Sequence, residues 1–435
     1  MTQPRGDLSG AVADLAAFAV DGVAPRRVVF PRDVDALSET MRQAHAEHLA
    51  VAPRGGGTKL ALGNPPRRLD LVVGTRDLTG VLDHQPANLT VTLQAGTPLA
   101  ALQAALAEHG QFLPLESPLP ARATVGGVLA ANASGPHRLA YGTARDWLIG
   151  VRVVHADGTV TKAGGKVVKN VTGYDLNKLY VGSLGTLGVI VEATFKVAPL
   201  PAVRRTVVAR LASLEAACQA ALAVDRAGIG PLAAVALNAE AARRVQLASP
   251  PATDTEALLA VELGGRPMGV ERREADLLHL LAEHGASEQE QLSGAPDRFW
   301  QAAVDLGWGE AEPPALAVRC GVSPSAITSI VGALRASPLH LALAVQPAAG
   351  VLRAVAWPDA RGRTPDATLV DAVAALRRTV APLGGYAVVE RCDPALKARL
   401  DVWGDVGPSL ALMRRVKEQF DPSGVLNPGR FAGGI

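Results

Sequence analysis

The sequence predicts an α+β protein built from two successive domains, and three observations carry that reading. Strand-like runs of apolar and β-branched residues alternate with amphipathic helical runs along the whole chain. Glycine concentrates in three clusters, all in the first half. After Pro199-Leu200-Pro201 the glycine clusters stop, and regular strand–helix alternation follows that suits a mainly antiparallel sheet with helices on one face. The expected organisation is an N-terminal helix within residues 1–21, a first domain over 22–201, a second over 202–408 and a closing segment over 409–435.

Taken in order, residues 7–21 are alanine-rich and read as a helix stopped by Gly22 and Pro25. Residues 28–31 form a brief strand, and 33–48 an amphipathic helix with Asp33 as its N-cap. A strand over 49–52 runs into Arg54-Gly55-Gly56-Gly57-Thr58. Strands over 69–73 and 89–93 flank a turn at 83–88. Gly96-Thr97-Pro98 opens a helix reaching His109, with Thr97 at the cap and Pro98 at the first helical position. Residues 147–155 and 159–162 pair as a hairpin around Asp157-Gly158, a strong turn dipeptide. A strand over 189–197 ends the first domain. In the second, strands are expected over 205–211, 233–237, 258–263, 315–319, 340–345, 352–357 and 387–391, with helices over 214–225, 269–284 and 366–380.

Composition excludes several classes. With 48% hydrophobic and 19% charged residues the chain is an ordinary globular protein, not a disordered one. The net charge of +2, with no basic stripe, gives no sign of nucleic-acid binding. Cys218, Cys320 and Cys392 stand too far apart in sequence to form a local zinc or iron–sulfur motif and read as buried thiols. The polar Met1–Gly10 lacks the apolar core of a signal peptide, and no apolar run approaches the ~20 residues that span a bilayer. The expected location is the cytoplasm, with any docking at the inner membrane made through partners.

The glycine clusters are the main functional signal. They are Pro53-Arg54-Gly55-Gly56-Gly57-Thr58-Lys59, Thr124-Val125-Gly126-Gly127 continuing through small residues to Gly135, and Gly182-Ser183-Leu184-Gly185-Thr186-Leu187-Gly188. Such runs let successive backbone N–H groups converge on a phosphate without a Cβ in the way. Tight turns alone would also explain each cluster, but three in one block favour a phosphate-bearing ligand. Two familiar loops are excluded. Gly165-Lys166 is followed by Val167, and Val160 stands where a P-loop needs its first glycine. The third cluster is spaced G-x-x-G-x-x-G and falls late in the block, unlike a dinucleotide fingerprint.

The first two clusters, with Asn132-Ala133-Ser134-Gly135, Tyr141-Gly142 and Arg145-Asp146, resemble an FAD-binding domain of the vanillyl-alcohol oxidase (PCMH) type. The stretch from Lys169 through Gly173-Tyr174-Asp175-Leu176 to Gly185-Thr186-Leu187-Gly188-Val189-Ile190 is similar to the FAD-binding subunits of bacterial glycolate oxidases. Phe420-Asp421-Pro422 and Asn427-Pro428-Gly429 resemble the ending of FAD-linked 2-hydroxy-acid oxidoreductases. The resemblance implies an FAD domain of two α+β subdomains followed by an α+β cap. It places FAD against Pro53, Arg54, Gly55, Gly56, Gly57, Thr58, Lys59, Pro118, Thr124, Val125, Gly126, Gly127, Ala131, Asn132, Ser134, Gly135, Tyr141, Gly142, Gly188 and Ile190, with Asn427 near the flavin ring. Arg145 either joins that set or pairs with Asp146. Tyr174 and Asp175 read equally well as a buried tyrosine and a helix cap.

The chain also departs from its relatives. No histidine stands in the first loop, so non-covalent FAD is expected. The catalytic subunits of the family carry a closely spaced histidine pair that holds a metal and the substrate; here His279, His284 and His340 stand apart, and no metal site or catalytic base can be named. Arg353, Arg391 and Arg414 are candidate cations for a substrate carboxylate, each read first as a surface charge. His45 and His48, with Glu47 between them, read as a solvated helix end, and Trp300, Trp308, Trp357 and Trp403 as core or interface residues. Three functions follow from the resemblance. The first is an FAD subunit of a glycolate-oxidising complex, working with a sister flavoprotein and an iron–sulfur subunit on a small 2-hydroxy acid. The second is a self-sufficient FAD-dependent lactate or glycolate dehydrogenase. The third is a non-catalytic assembly subunit.

Overall fold

A computed structural model describes residues 14–166, 174–245, 251, 253–292, 296–309, 311–358 and 364–435. The chain divides into two compact units. The first runs to Ala133, resumes over Thr143–Leu200 and ends with Asp401–Ile435; the second holds Ser134–Gly142 and Pro201–Leu400. The segment Ser134–Gly142, expected within the first domain, therefore packs with the second unit. Sequence proximity to the glycine loop suggested otherwise, but the chain leaves and re-enters the first unit around this short excursion.

The first unit contains two main sheets. In the three-stranded sheet, Leu71–Gly74 lies between Arg27–Val29 and Val51–Arg54, parallel to both. Leu71–Gly74 is buried throughout, which is why it reads as an uninterrupted apolar run. Helix Val34–Ala46 begins where the Asp33 carboxylate accepts the Ala36 amide at 2.7 Å, and buries Leu37, Met41 and Ala44 along one face. The five-stranded sheet is antiparallel, in the order Val81–Gln85, Thr90–Gln94, Val189–Lys196, Leu148–Val154, Val160–Gly164. Helix Leu99–Ala107 packs Leu99, Leu102 and Leu106 into its core with Leu93, Val151 and Phe195.

Three local expectations are corrected here. Residues 16–18 form only a 3-10 turn, so the expected helix does not extend over its described part; its residues before 14 lie outside the described residues. Asp83 belongs to the strand Val81–Gln85, and the turn is confined to Pro86–Asn88 with Leu89 left-handed at φ 53°. Pro98 is itself the N-cap of helix Leu99–Ala107, because the Thr97 hydroxyl turns back to the Gln94 carbonyl at 2.8 Å.

The C-terminal chain is clasped onto the parallel sheet. Helix Ser409–Phe420 leads to Asp421, which is 2% exposed. Its carboxylate accepts from Lys417 Nζ at 2.6 Å and from the amides of Val425 and Leu426 at 3.0 and 2.7 Å. Lys417 also donates to the carbonyls of Thr186 and Leu426 at 2.8 and 2.9 Å. Val51 then donates to the Val425 carbonyl at 2.7 Å and accepts from the Asn427 amide at 2.8 Å, so Leu426 bridges beside the edge strand and delivers Asn427 and Arg430 to one place.

The second unit is built on an eight-stranded antiparallel sheet, in the order Glu288–Gln291, Val203–Leu211, Ala257–Gly265, Ala233–Asn238, Ala342–Gln346, Val351–Ala356, Leu316–Gly321, Tyr386–Cys392. Glu288–Gln291 escaped sequence reading because an all-polar edge strand has no apolar alternation to detect. The expectation of helices on one face is corrected. Ala233, Val235 and Leu237 pack with Ala241, Phe299 and Trp300, while the alternate residues Ala234 and Ala236 are equally buried, so both faces of the sheet are covered.

Candidate active site in the first unit

A cleft of about 860 Å³, counting the space at its open mouth, collects all three glycine clusters and the C-terminal segment. From the predicted set it is lined by Pro53, Arg54, Gly55, Gly56, Gly57, Thr58, Lys59, Thr124, Gly126, Gly127, Ala131, Gly188, Ile190 and Asn427. Others stand elsewhere. Pro118 is off the lining, although its neighbour Ser117 is on it. Val125 is core, Asn132 is the left-handed cap of helix Val125–Ala131, and Arg145 is exposed. Asp146 does not need Arg145: its carboxylate closes a capping box with the Thr143 amide at 2.7 Å. Ser134, Gly135, Tyr141 and Gly142 lie in the excursion that belongs to the second unit. Tyr174 is 94% exposed rather than buried, Asp175 pairs with Lys178 at 2.9 Å, and Lys169 to Gly173 of that motif lie outside the described residues.

The first loop is built to present backbone donors. The amides of Gly55, Gly56, Gly57 and Thr58 donate to no protein acceptor among the described residues. These four residues are half-buried along the cleft, so their amides stay available to water or to a ligand. Glycine is required for this arrangement. A Cβ on Gly56 would stand 1.7 Å from the Arg122 carbonyl oxygen, and Gly57 has φ +74°. The second loop differs: Val125 donates to Thr97, Gly126 to Ala95, and Gly127 to the Thr124 hydroxyl, so these amides hold the loop rather than a ligand. What it contributes is a surface of small residues, Gly126, Gly127, Ala130 and Ala131, where a flat ring can lie close to the backbone.

Two of the residues on the cleft lining also carry a buried polar atom with no hydrogen-bond partner. Asn427 has φ 45° and donates Nδ2 to the Leu184 carbonyl at 2.6 Å, while its Oδ1 is buried without a partner. Arg430 donates Nη2 to the carbonyls of Leu60 and Leu62, while its Nη1 is buried without a partner. Burial pulls the Arg430 guanidinium below the usual arginine range. Arg54, by contrast, lies beside Gly57 and is engaged within the protein. Its Nη1 donates to the Ala17 carbonyl at 2.9 Å and its guanidinium lies 4.6 Å from the Phe18 ring centre. Arg430 and Ser117 were missed in the sequence. Arg430 follows Asn427-Pro428-Gly429 directly, and extending that motif by one residue would have found it.

Unspent amides for a pyrophosphate, small residues for a flat ring, and an orphan donor and acceptor together fit a flavin dinucleotide. Elsewhere the remaining candidates are spent or exposed. Glu47 pairs with Arg27 at 3.0 Å, and exposed His279 sits 3.3 Å from Glu283. Arg391 donates to the Gly309 carbonyl at 2.8 Å, and Arg414 is exposed. Trp300 and Trp308 are core residues. Arg353 is no surface charge: its side chain is 13% exposed and pairs with Glu390 at 3.0 Å. Among the described residues no three His, Cys, Asp or Glu side chains gather as a metal site, and no helix is long and apolar enough to cross a membrane.

Comparison with known proteins agrees with this geometry. Residues 25–164 match the family model of the FAD binding domain, and residues 200–342 and 405–431 match that of the C-terminal domain of FAD linked oxidases. The chain is 27% identical to the glycolate oxidase subunit GlcD of Bacillus subtilis over 94% of its length and 89% of that protein. It is 40% identical to the glycolate oxidase subunit GlcE of Escherichia coli over 38% of its length and 47% of that protein. To the D-lactate dehydrogenase of Archaeoglobus fulgidus it is 38% identical over 41% of each chain. The last two matches thus span less than half of the relative. Among solved structures, an alkyldihydroxyacetonephosphate synthase shares the fold, with a TM-score of 0.69 at 17% identity over 93% of this chain and 76% of that one. The chain therefore belongs to the FAD-linked oxidases with a PCMH-type FAD-binding domain and is an FAD-dependent oxidoreductase.

Proposed function

We propose that this chain is the FAD-binding subunit of a glycolate-oxidising complex, taking a 2-hydroxy acid to a 2-oxo acid and passing the electrons through its flavin to an iron–sulfur partner. The observation that carries the flavin half is the row of four unspent amides, Gly55 to Thr58, on residues that line the same cleft as Arg430 and Asn427. Similarity to one glycolate oxidase subunit over 94% of the chain, and to another over 38% of it, supports the substrate class. The subunit role rests on Cys218, Cys320 and Cys392, each buried and far from the others in sequence, which leaves an iron–sulfur cluster to another chain.

Bound FAD would supply the acceptor for the hydride, which carries both electrons of the oxidation, while the substrate hydroxyl gives up its proton. The protein's own part is positional. The first-loop amides hold the pyrophosphate, and the small residues of the second loop let the cofactor seat against backbone. Asn427 Oδ1 accepts and Arg430 Nη1 donates at the cofactor, and the clasp at Asp421 holds both in register.

An anaerobic absorbance spectrum of the purified chain, before and after glycolate and then dithionite, tests the reading. Flavin bands that persist with glycolate and bleach with dithionite are expected of a subunit that needs its partners. Bleaching by glycolate alone makes the chain a dehydrogenase in its own right. Absence of flavin after incubation with FAD overturns the proposal.

A further inference from the structure

Away from the cleft lining, the first unit brings two histidines together. His84 stands on the edge strand Val81–Gln85. His109 follows helix Leu99–Ala107, just before the chain turns at Gly110 with φ +65°. Their ring centres are 4.8 Å apart and their planes cross at 81°. The side chain of His109 is exposed and makes no hydrogen bond among the described residues. Gln111 fixes the chemistry of the other ring. It is 6% exposed, and its Nε2 donates to the Pro86 carbonyl at 2.8 Å. A carbonyl oxygen can only accept, so the amide cannot be turned over, and Oε1 is the atom that meets His84 Nε2 at 3.0 Å. That oxygen also only accepts, so His84 Nε2 carries the hydrogen. Neutral His84 therefore keeps its lone pair on Nδ1, which has no protein partner among the described residues. A ring N–H committed to a carbonyl oxygen is the support that orients an imidazole as a metal ligand and raises its basicity.

The spacing of the rings suits a shared ion. With metal–nitrogen bonds of about 2.0–2.1 Å, each ring centre lies roughly 3.2 Å from the metal, and centres 4.8 Å apart then subtend roughly 97° at it. That angle lies between the octahedral and tetrahedral values. The Cβ–Cγ torsion of an imidazole is broad, so the unbonded His109 ring can turn a nitrogen toward the ion without moving the backbone. Asp83, next to His84 in sequence, is already taken by Lys166 Nζ at 2.5 Å and Gln85 Nε2 at 2.8 Å. We propose that His84 Nδ1 and His109 together bind a divalent transition-metal ion of the class that favours imidazole, such as zinc, nickel or copper, with water completing its shell. Two protein ligands make an open, exchangeable site that ties the edge strand to the turn after helix Leu99–Ala107. It is separate from the cofactor cleft, which neither histidine lines.

The test is calorimetric titration of the untagged, FAD-loaded chain with zinc chloride in a non-chelating buffer. One zinc ion per chain is expected to bind at this pair. His84→Ala and His109→Ala should each weaken that binding about 10- to 100-fold, and Gln111→Leu should weaken it by a similar factor through loss of the support behind His84. His109→Ala alters an exposed ring that makes no hydrogen bond, so it tests the site even where the buried Gln111 variant does not fold. His279→Ala removes an exposed histidine of the second unit that sits 3.3 Å from Glu283, and should bind zinc as the parent does. Zinc should also raise the melting temperature of the parent and leave that of His109→Ala unchanged, because an ion that binds only the folded site stabilises it. Absence of zinc binding overturns the inference. So does binding that survives both His84→Ala and His109→Ala, or that is lost in His279→Ala.

Discussion

Replacing Asp421 by alanine removes the one buried carboxylate that gathers the C-terminal segment. Three donors lose their acceptor at once: Lys417 Nζ and the amides of Val425 and Leu426. Lys417, whose side chain is 12% exposed, keeps two carbonyl partners but no counter-charge. Burial already holds its ammonium below the usual lysine range against the pull of Asp421, so losing that charge leaves an uncompensated cation. Breaking one side of a buried pair costs about 3–5 kcal/mol. For a unit of this size each kcal/mol moves the transition by roughly 2–4 °C, so the first unit should melt about 6–20 °C lower. Differential scanning calorimetry of the FAD-loaded chain reads this directly. Removing both charges in Lys417→Met/Asp421→Asn should recover part of the loss, because the pair is coupled. A shift below about 2 °C in Asp421→Ala would show that the clasp does not hold the segment, and with it that Asn427 and Arg430 are positioned by something else.

Three further outcomes are expected. Gly56→Ala drives a Cβ to 1.7 Å from the Arg122 carbonyl and must displace the first loop, so FAD affinity should fall about 10- to 100-fold in a fluorescence titration of the apoprotein; unchanged affinity would detach this loop from the cofactor. In the second unit, burial alone would raise the Glu262 pKa, but the hydrogen bond from His137 at 2.6 Å and the charges of His137 and Arg204 outweigh it and hold it below 4.5. The stability this contributes is present above pH 4.5 and lost as pH falls through the lower folded value, so acid unfolding monitored by tryptophan fluorescence should be shallower in Glu262→Gln below pH 4.5. Burial pushes the Cys218 and Cys320 thiols up to about 12, so neither should react with a thiol reagent until the chain is unfolded, and labelling of either in the native protein would contradict their packing.

Much of this protein is legible in local chemistry. The Asp33 cap, the Asp157-Gly158 hairpin and the apolar run at Leu71 each declare their element because the cause acts within a few residues: a side-chain oxygen on an amide, a positive φ at Gly158, burial on both faces of a strand. The glycine loops, and through them the cofactor class, are legible for the same reason, since a free row of amides needs only adjacent glycines. Other features depend on partners that no short window contains. The strand Glu288–Gln291 pairs through backbone alone and leaves no hydrophobic pattern. The excursion Ser134–Gly142 joins the second unit because His137 finds Glu262 across 125 positions of sequence. Arg353 read as a surface charge until the register set it opposite Arg319 and a bulge re-aimed Glu390 between them. Residue type and spacing therefore determined the fold class and the glycine loops that line the cleft, whereas strand register and chain return decided which charges are buried together. Pairing energy and burial depend on distance in space, which the order of residues does not record.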